Sequence, residues 1–224
     1  MASESKSFPQ PFESALPALA FPRTQLEIGL AFAAILGCVW TAQGHLNTFL
    51  VFSTAGLIAL LSLFGRFSSS QMGLGVPAAR SVGVIVLVGS VLLLSLVIFA
   101  HATGWNVRPQ TLQWRQIWKY SLWAVMQQFI LLSFFFLRFE SLLGGRRAVW
   151  WTAFLFAVVH IPSPFLTAAS MLGGLFFCEM FRRYRTIWPL GVMHACLGCT
   201  IASEYSDAIL RHMRVGIAFL RFHP

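Results

Sequence analysis

Charged residues are scarce in this sequence. Asp, Glu, Lys and Arg together make up 10% of the 224 residues, whereas hydrophobic residues make up 57% and the mean hydropathy is +0.72. Soluble domains carry about 25% charged residues, so the composition excludes an ordinary soluble domain and indicates an integral membrane protein. At about 20 apolar residues for each span, the length suits roughly six to eight spans. We therefore predict an all-α fold, a polytopic membrane helix bundle with about seven transmembrane helices.

The sequence also lacks the marks of a secreted protein. Its four cysteines, Cys38, Cys178, Cys196 and Cys199, all lie inside apolar runs and do not suggest a disulfide framework. Residues 1–25 are rich in Pro, Ser and Ala, but they lack the basic start and apolar stretch of a cleaved signal peptide. We expect a polar tail there, followed by an uncleaved anchor that begins near Leu26.

Seven apolar runs are candidate spans, at residues 26–42, 46–64, 81–100, 117–137, 148–162, 165–181 and 187–203. Pro162 and Pro164 must interrupt the helical hydrogen bonding between the fifth and the sixth run. The runs divide the chain into a polar tail (1–25), three spans with their loops (26–116), a four-span core (117–203) and a C-terminal tail (204–224). The last tail mixes Arg with Ile, Leu and Phe at roughly helical spacing, which predicts an interfacial helix on the membrane surface.

The net charge of +9 does not indicate nucleic-acid binding. The arginines occur in short clusters between apolar runs, a pattern that favours contact with anionic lipid headgroups. We therefore predict the lipid bilayer as a partner, and no nucleic acid. With seven spans, ten of the sixteen Lys and Arg residues lie on the side of the N-terminal tail. This asymmetry predicts a cytoplasmic N-terminus.

Several polar side chains fall at membrane depth. The stretch AVMQQFILLSFFF, residues 124–136, places Gln127 and Gln128 in an otherwise apolar run, and His160 and His194 lie in later spans. Hydrocarbon offers no hydrogen bond, so such side chains need a protein partner or a water-filled cavity. One of them alone is explained by an interhelical hydrogen bond, which contributes about 0.6 kcal/mol. Three such sites on three spans predict one shared polar cavity.

The stretch HACLGC, residues 194–199, raises a metal site as an alternative. Cys196 and Cys199 are three residues apart on one helix face, and His194 precedes them. Small residues in this pattern more often allow close helix packing in a membrane, and the carboxylates that orient metal ligands are missing. We therefore predict no metal and no cofactor.

An ordered set of motifs resembles the CPBP family, the CAAX-protease and bacteriocin-processing intramembrane endopeptidases. FAVVH, from Phe156 to His160, is similar to the F-x-x-x-H motif of the family, and His194 in RTIWPLGVMHA matches its last histidine. The resemblance covers about residues 117–203. Together with the charge pattern, it implies an integral protein of a bacterial inner membrane that handles a membrane-embedded peptide or protein substrate.

The acidic half of the family pattern is absent. The E-E-x-x-x-R motif falls on Gln127, Gln128 and Leu132, and the Asn that follows the last histidine falls on Gly198. Glu204 is the nearest other acid, but helix geometry keeps it about two and a half turns from His194. An unpaired Arg would be costly beside two amides, so Leu132 suits a neutral hydrogen-bonded network.

The resemblance implies a site made of His160, His194, Gln127 and Gln128, with supporting positions Phe156, Leu132 and Gly198. In the family, the first Glu and a His are thought to activate water, and a neutral amide is no useful base near neutral pH. These substitutions favour a non-catalytic relative that binds or escorts a membrane peptide. Two alternatives stay open: an active endopeptidase with a histidine base, and a small membrane transporter or channel.

Overall fold

The computed structural model describes residues 20–106 and 112–222, and these residues form a bundle of helices. The seven longer helices are α1 (Ala20–Trp40), α2 (His45–Leu63), α3 (Ala79–Thr103), α4 (Trp114–Leu143), α5 (Gly145–Val158), α6 (Pro164–Tyr184) and α7 (Trp188–Glu204). Two short helices follow, α8 (Asp207–Leu210) and α9 (Gly216–Leu220). Within the described residues there is no strand, which confirms the all-α prediction.

Four of these helices, α2, α3, α4 and α6, are long and apolar enough to cross a membrane. The count of seven spans is therefore not confirmed, although seven longer helices lie close to the predicted runs. Helix α5 illustrates the reason. Its 14 residues extend about 21 Å at 1.5 Å per residue, less than the roughly 30 Å of a bilayer core.

Helix α4 is longer than the predicted run 117–137 and changes its winding in the middle. Residues Phe129–Phe136 form a π-helical segment between two α-helical parts. Six of its eight residues are buried, so this wider turn packs into the centre of the bundle. Gln127 and Gln128 are the last two residues before the change. A π-helical turn inside an α-helix is frequent at functional sites.

The predicted interruption between the fifth and the sixth run is confirmed, but the helix ends earlier than expected. Helix α5 stops at Val158, and α6 begins at Pro164 with Ser163 as its N-cap, whose hydroxyl accepts from the Leu166 N–H. His160 therefore lies in the turn between the two helices and not within a helix.

The segment between α2 and α3 is bound to the rest of the bundle by hydrogen bonds. The Ser133 hydroxyl donates to the Met72 carbonyl (2.6 Å), and the Ile187 N–H donates to the Gly73 carbonyl (3.1 Å). Gly73 has φ +73°, and a Cβ there would lie 2.6 Å from the Phe181 ring. Both the backbone conformation and the close packing require glycine at this position.

Arg138 is a buried charged residue on α4 that joins three helices. Its side chain is 1% exposed, and its Nε donates to Glu27 on α1 (2.8 Å). The other guanidinium nitrogens donate to the carbonyls of Phe134 and Leu61. Arg138 thus ties α1 and α2 to α4, whereas Glu140 pairs with Arg185 (2.6 Å).

Candidate functional site

A large cavity lies between the helices and has a volume of about 1320 Å³. Most of its wall is apolar. Gln127 from α4, His160 from the turn after α5 and His194 from α7 all face it. The structure therefore brings together the three positions that the sequence singled out, although they are 33 and 34 residues apart. This arrangement is the predicted convergence.

Gln128 and His194 form the central hydrogen bond of the site. The Gln128 side chain is fully buried, and its Nε2 donates to Nδ1 of His194 (2.9 Å). Because Nδ1 accepts, the neutral imidazole carries its proton on Nε2. The Gln128 Oε1 atom is buried without a hydrogen-bond partner among the described residues.

His160 has the opposite proton arrangement. Its Nδ1 contacts the backbone carbonyl of Phe156 (2.7 Å). A carbonyl only accepts, so Nδ1 carries the proton and Nε2 of the neutral ring is left as an acceptor. The site therefore contains one imidazole with a donor at Nε2 and another with an acceptor at Nε2.

Aromatic rings fix both imidazoles. The Phe156 ring lies 4.8 Å from the His160 ring and 5.9 Å from the His194 ring, nearly perpendicular to each. The Phe177 ring lies 5.2 Å from His194 on α7. The two edge-to-face contacts of Phe156 contribute about 0.5–1.5 kcal/mol each. Phe156, which the resemblance marks as a supporting position, thus contacts both histidine rings.

The expected network of four polar side chains is not formed. Only Gln128 and His194 bond to each other. His160 bonds to backbone, and within the described residues the structure records no hydrogen bond for the side chain of Gln127. Gln127 is half-buried and lines the cavity, whereas Gln128 is fully buried beside His194. The two adjacent amides therefore have different roles: one supports a histidine, and the other faces the cavity.

Leu132 and Gly198 lie where the family pattern has Arg and Asn. Leu132 is fully buried in an apolar cluster with Leu131, Phe136 and Ile85. No room exists for a side chain at Gly198, because the Tyr120 hydroxyl occupies that space.

The sequence analysis did not identify Tyr120 as a site residue. The signal was its position seven residues before Gln127, which places both on one face of α4.

Among the described residues that line the cavity, none is Asp or Glu. Each of the five described acidic residues is within ion-pair distance of a basic partner elsewhere: Glu27 with Arg23 and Arg138, Glu140 with Arg185, Glu179 with Arg182 and Arg183, Glu204 with His101, and Asp207 with His212. Glu204, the nearest candidate base from the sequence, therefore lies beside His101 on α3 (3.8 Å) and not beside His194. The described wall of the cavity therefore has no carboxylate, and Arg211 is the one Lys or Arg among its described residues.

The end of the chain closes one side of the cavity. Two short helices stand where one interfacial helix was expected. The Gly216 N–H donates to the Ile161 carbonyl (2.9 Å), next to His160. A Cβ on Gly216 would lie 2.3 Å from the Val39 carbonyl of α1, so this contact requires glycine. Arg211 and Phe219, stacked at 4.3 Å, line the cavity here.

These features define an α-helical membrane protein whose cavity contains two histidines and, among the described lining residues, no carboxylate. The four candidate spans identify it as an integral membrane protein. A family model matches residues 109–200, fewer than half of the 224 residues. Its description is Type II CAAX prenyl endopeptidase Rce1-like. The resemblance to the CPBP family is thereby confirmed over this segment, which contains every site position predicted from the sequence. No curated protein and no solved structure matches the chain.

The family match supports a function of the intramembrane-peptidase type. A peptide substrate is consistent with that family. The site itself provides hydrogen-bond donors and acceptors but no carboxylate on the described wall. Its chemistry is therefore suited to holding polar backbone groups inside the membrane.

Proposed function

We propose that the protein binds a membrane-embedded peptide segment without cleaving it. The observation that carries this proposal is that no carboxylate lies among the described residues of the cavity wall. Gln127, His160 and His194 face one space, while the described acidic residues are engaged elsewhere. Hydrolysis in the related endopeptidases is attributed to a Glu that takes a proton from water, and an amide at the same position cannot do so near neutral pH.

The ligand that fits this site has backbone groups left unpaired within the membrane. A continuous helix satisfies its own N–H and C=O groups, but a helix interrupted by Pro leaves a carbonyl without a donor. The Nε2–H of His194 and the amide of Gln127 can donate to such a carbonyl. Nε2 of His160 and the Gln127 oxygen can accept from a free N–H.

The first prediction tests binding with two synthetic probes in lipid nanodiscs. One is a fluorescent peptide of about 20 Leu and Ala residues with a central Pro, and the other lacks the Pro. We expect the Pro-containing peptide to bind more tightly, because only it presents an unpaired carbonyl. His160→Ala and His194→Ala should each weaken its binding about threefold to tenfold, as expected for one lost hydrogen bond.

His101→Ala is the matched control, because His101 is exposed and lies outside the cavity. It should bind the Pro-containing peptide as the wild type does. Equal affinity for the two peptides, or no effect of either cavity histidine, would contradict peptide binding at this site.

A second function is favoured by the two histidine tautomers. His160 presents an acceptor at Nε2, as a general base must, and His194 presents a donor that suits a developing oxyanion. An active endopeptidase with His160 as its base is therefore the alternative. Among the described residues that line the cavity, no second acid is present to hold the proton or orient the attacking water.

The second prediction separates these two functions. The purified wild type should not cleave the Pro-containing peptide, and Gln127→Glu should not create cleavage, because Gly198 and Leu132 still differ from the family pattern. Mass spectrometry after long incubation measures this. Wild-type cleavage that both His160→Ala and His194→Ala abolish would establish the endopeptidase and exclude the non-catalytic function.

The N-terminus is proposed to lie in the cytoplasm of a bacterial cell. The charge asymmetry supports this orientation, and the docked loop after α2 lies at the same end as the Arg182–Arg185 cluster. As a third prediction, Ser69→Cys should react with a membrane-impermeant maleimide only after the cells are opened. Ala102→Cys, exposed at the other end, should react in intact cells. The unsubstituted chain gives the background, and the reverse pattern would refute the orientation.

A further inference from the structure

Tyr120 on α4 packs directly against Gly198 on α7. A Cβ built on Gly198 would lie 1.9 Å from the Tyr120 hydroxyl oxygen and 2.4 Å from its Cζ. Any side chain at position 198 would therefore displace the phenol. Conversely, the phenol occupies the space into which a side chain at 198 would project.

The phenol is also part of the candidate site. Its ring is perpendicular to the His194 ring, with centroids 6.4 Å apart, and Tyr120 lines the main cavity. Tyr120 and Gly198 line a second, smaller cavity of about 240 Å³ as well, so they stand at the boundary between the two. No hydrogen bond joins the Tyr120 hydroxyl to another described residue. Buried tyrosine hydroxyls usually have a partner.

We propose that Tyr120 is a ligand-contacting residue whose hydroxyl donates a hydrogen bond to a backbone carbonyl of the peptide bound beside His194. The phenol thereby supplies, from α4, a donor at the position where the family pattern has the amide of an Asn on α7. This inference rests on the proposed peptide binding and adds a specific donor to it. The ligand class is a membrane peptide with an unpaired backbone carbonyl.

The hydroxyl suits this task for two reasons. It is a neutral donor, so it adds no charge to a site whose described wall has no carboxylate. It also lies on the same helix face as Gln127, two turns earlier, so one peptide segment lying along α4 can meet both side chains.

The test uses the Pro-containing Leu and Ala peptide in nanodiscs. Tyr120→Phe keeps the ring and removes only the hydroxyl, and it should weaken binding about threefold to tenfold. Tyr184→Phe is the matched control and should bind like the wild type, because Tyr184 packs against the apolar cluster away from the cavity. If Tyr120 only fills space, Tyr120→Phe should bind the peptide with unchanged affinity. That result would overturn the proposal.

A rescue provides the second arm. Tyr120→Ala should bind weakly, and adding Gly198→Asn should recover most of the affinity, because the amide then has room and supplies a donor at the same place. Failure of this rescue would count against a donor at that position. If the wild type itself does not distinguish the Pro-containing peptide from its control, both this inference and the proposed function fail. If the wild type prefers the Pro-containing peptide and Tyr120→Phe binds it equally well, this inference alone is overturned.

Discussion

Replacing Glu27 with leucine should lower the free energy of unfolding by about 3–5 kcal/mol, the largest loss we expect from a single substitution. The change leaves Arg138, which is 1% exposed, without a carboxylate. Its remaining contacts include two carbonyls and the rings of Phe134 (3.7 Å) and Phe67 (5.7 Å). An SDS titration in mixed micelles measures the loss.

Two further variants serve as the control and the rescue for this experiment. Glu179→Leu removes a carboxylate that pairs with the more exposed Arg182 and Arg183, so it should cost no more than about 1 kcal/mol. Combining Glu27→Leu with Arg138→Leu removes both charges and should recover most of the lost stability, because a well-packed apolar pair often replaces a buried ion pair at little cost. A Glu27→Leu protein as stable as the wild type would show that Arg138 does not need its partner.

Gln128→Glu should be the second most damaging substitution, although it introduces the residue found in the family pattern. Gln128 is fully buried, and Leu132, one turn further along α4, offers no positive charge. A carboxylate here would lose the donor to Nδ1 of His194 and would be a buried charge without a full partner. We expect a loss of about 2–4 kcal/mol in the same titration.

Gln127→Glu is the matched control, because Gln127 is only half-buried and faces the cavity. It should cost about 1 kcal/mol or less, in the range of polar surface changes. Gln128→Glu combined with Leu132→Arg should regain part of the stability by supplying a charge partner. Equal stability of Gln127→Glu and Gln128→Glu would contradict the different roles of the two amides.

The sequence predicts the helices and the convergence of the site for a simple reason. Apolar runs of span length must be helical in a membrane, and proline fixes the interruption before α6. Three polar positions at similar depth then have one favourable place, the interior of the bundle. The family match covers these same residues.

Other features depend on contacts that no local pattern encodes. The partner of Arg138 is Glu27, 111 residues away, so no local charge pattern identifies it. The π-helical winding of Phe129–Phe136 arises from packing, since eight such residues would also suit an α-helix. The C-terminal tail has a helical pattern, but Arg211, His212 and Met213 adopt left-handed backbone conformations that divide it into α8 and α9.

The wall of the main cavity should discriminate between peptides by the sign of their charge. A lysine carried into it would find no carboxylate among the described lining residues, and stripping its water would be uncompensated. An acidic side chain would instead meet Arg211, the one Lys or Arg among those residues. Cationic segments would be rejected because no described carboxylate compensates their desolvation, and Arg211 would add an attraction for acidic ones.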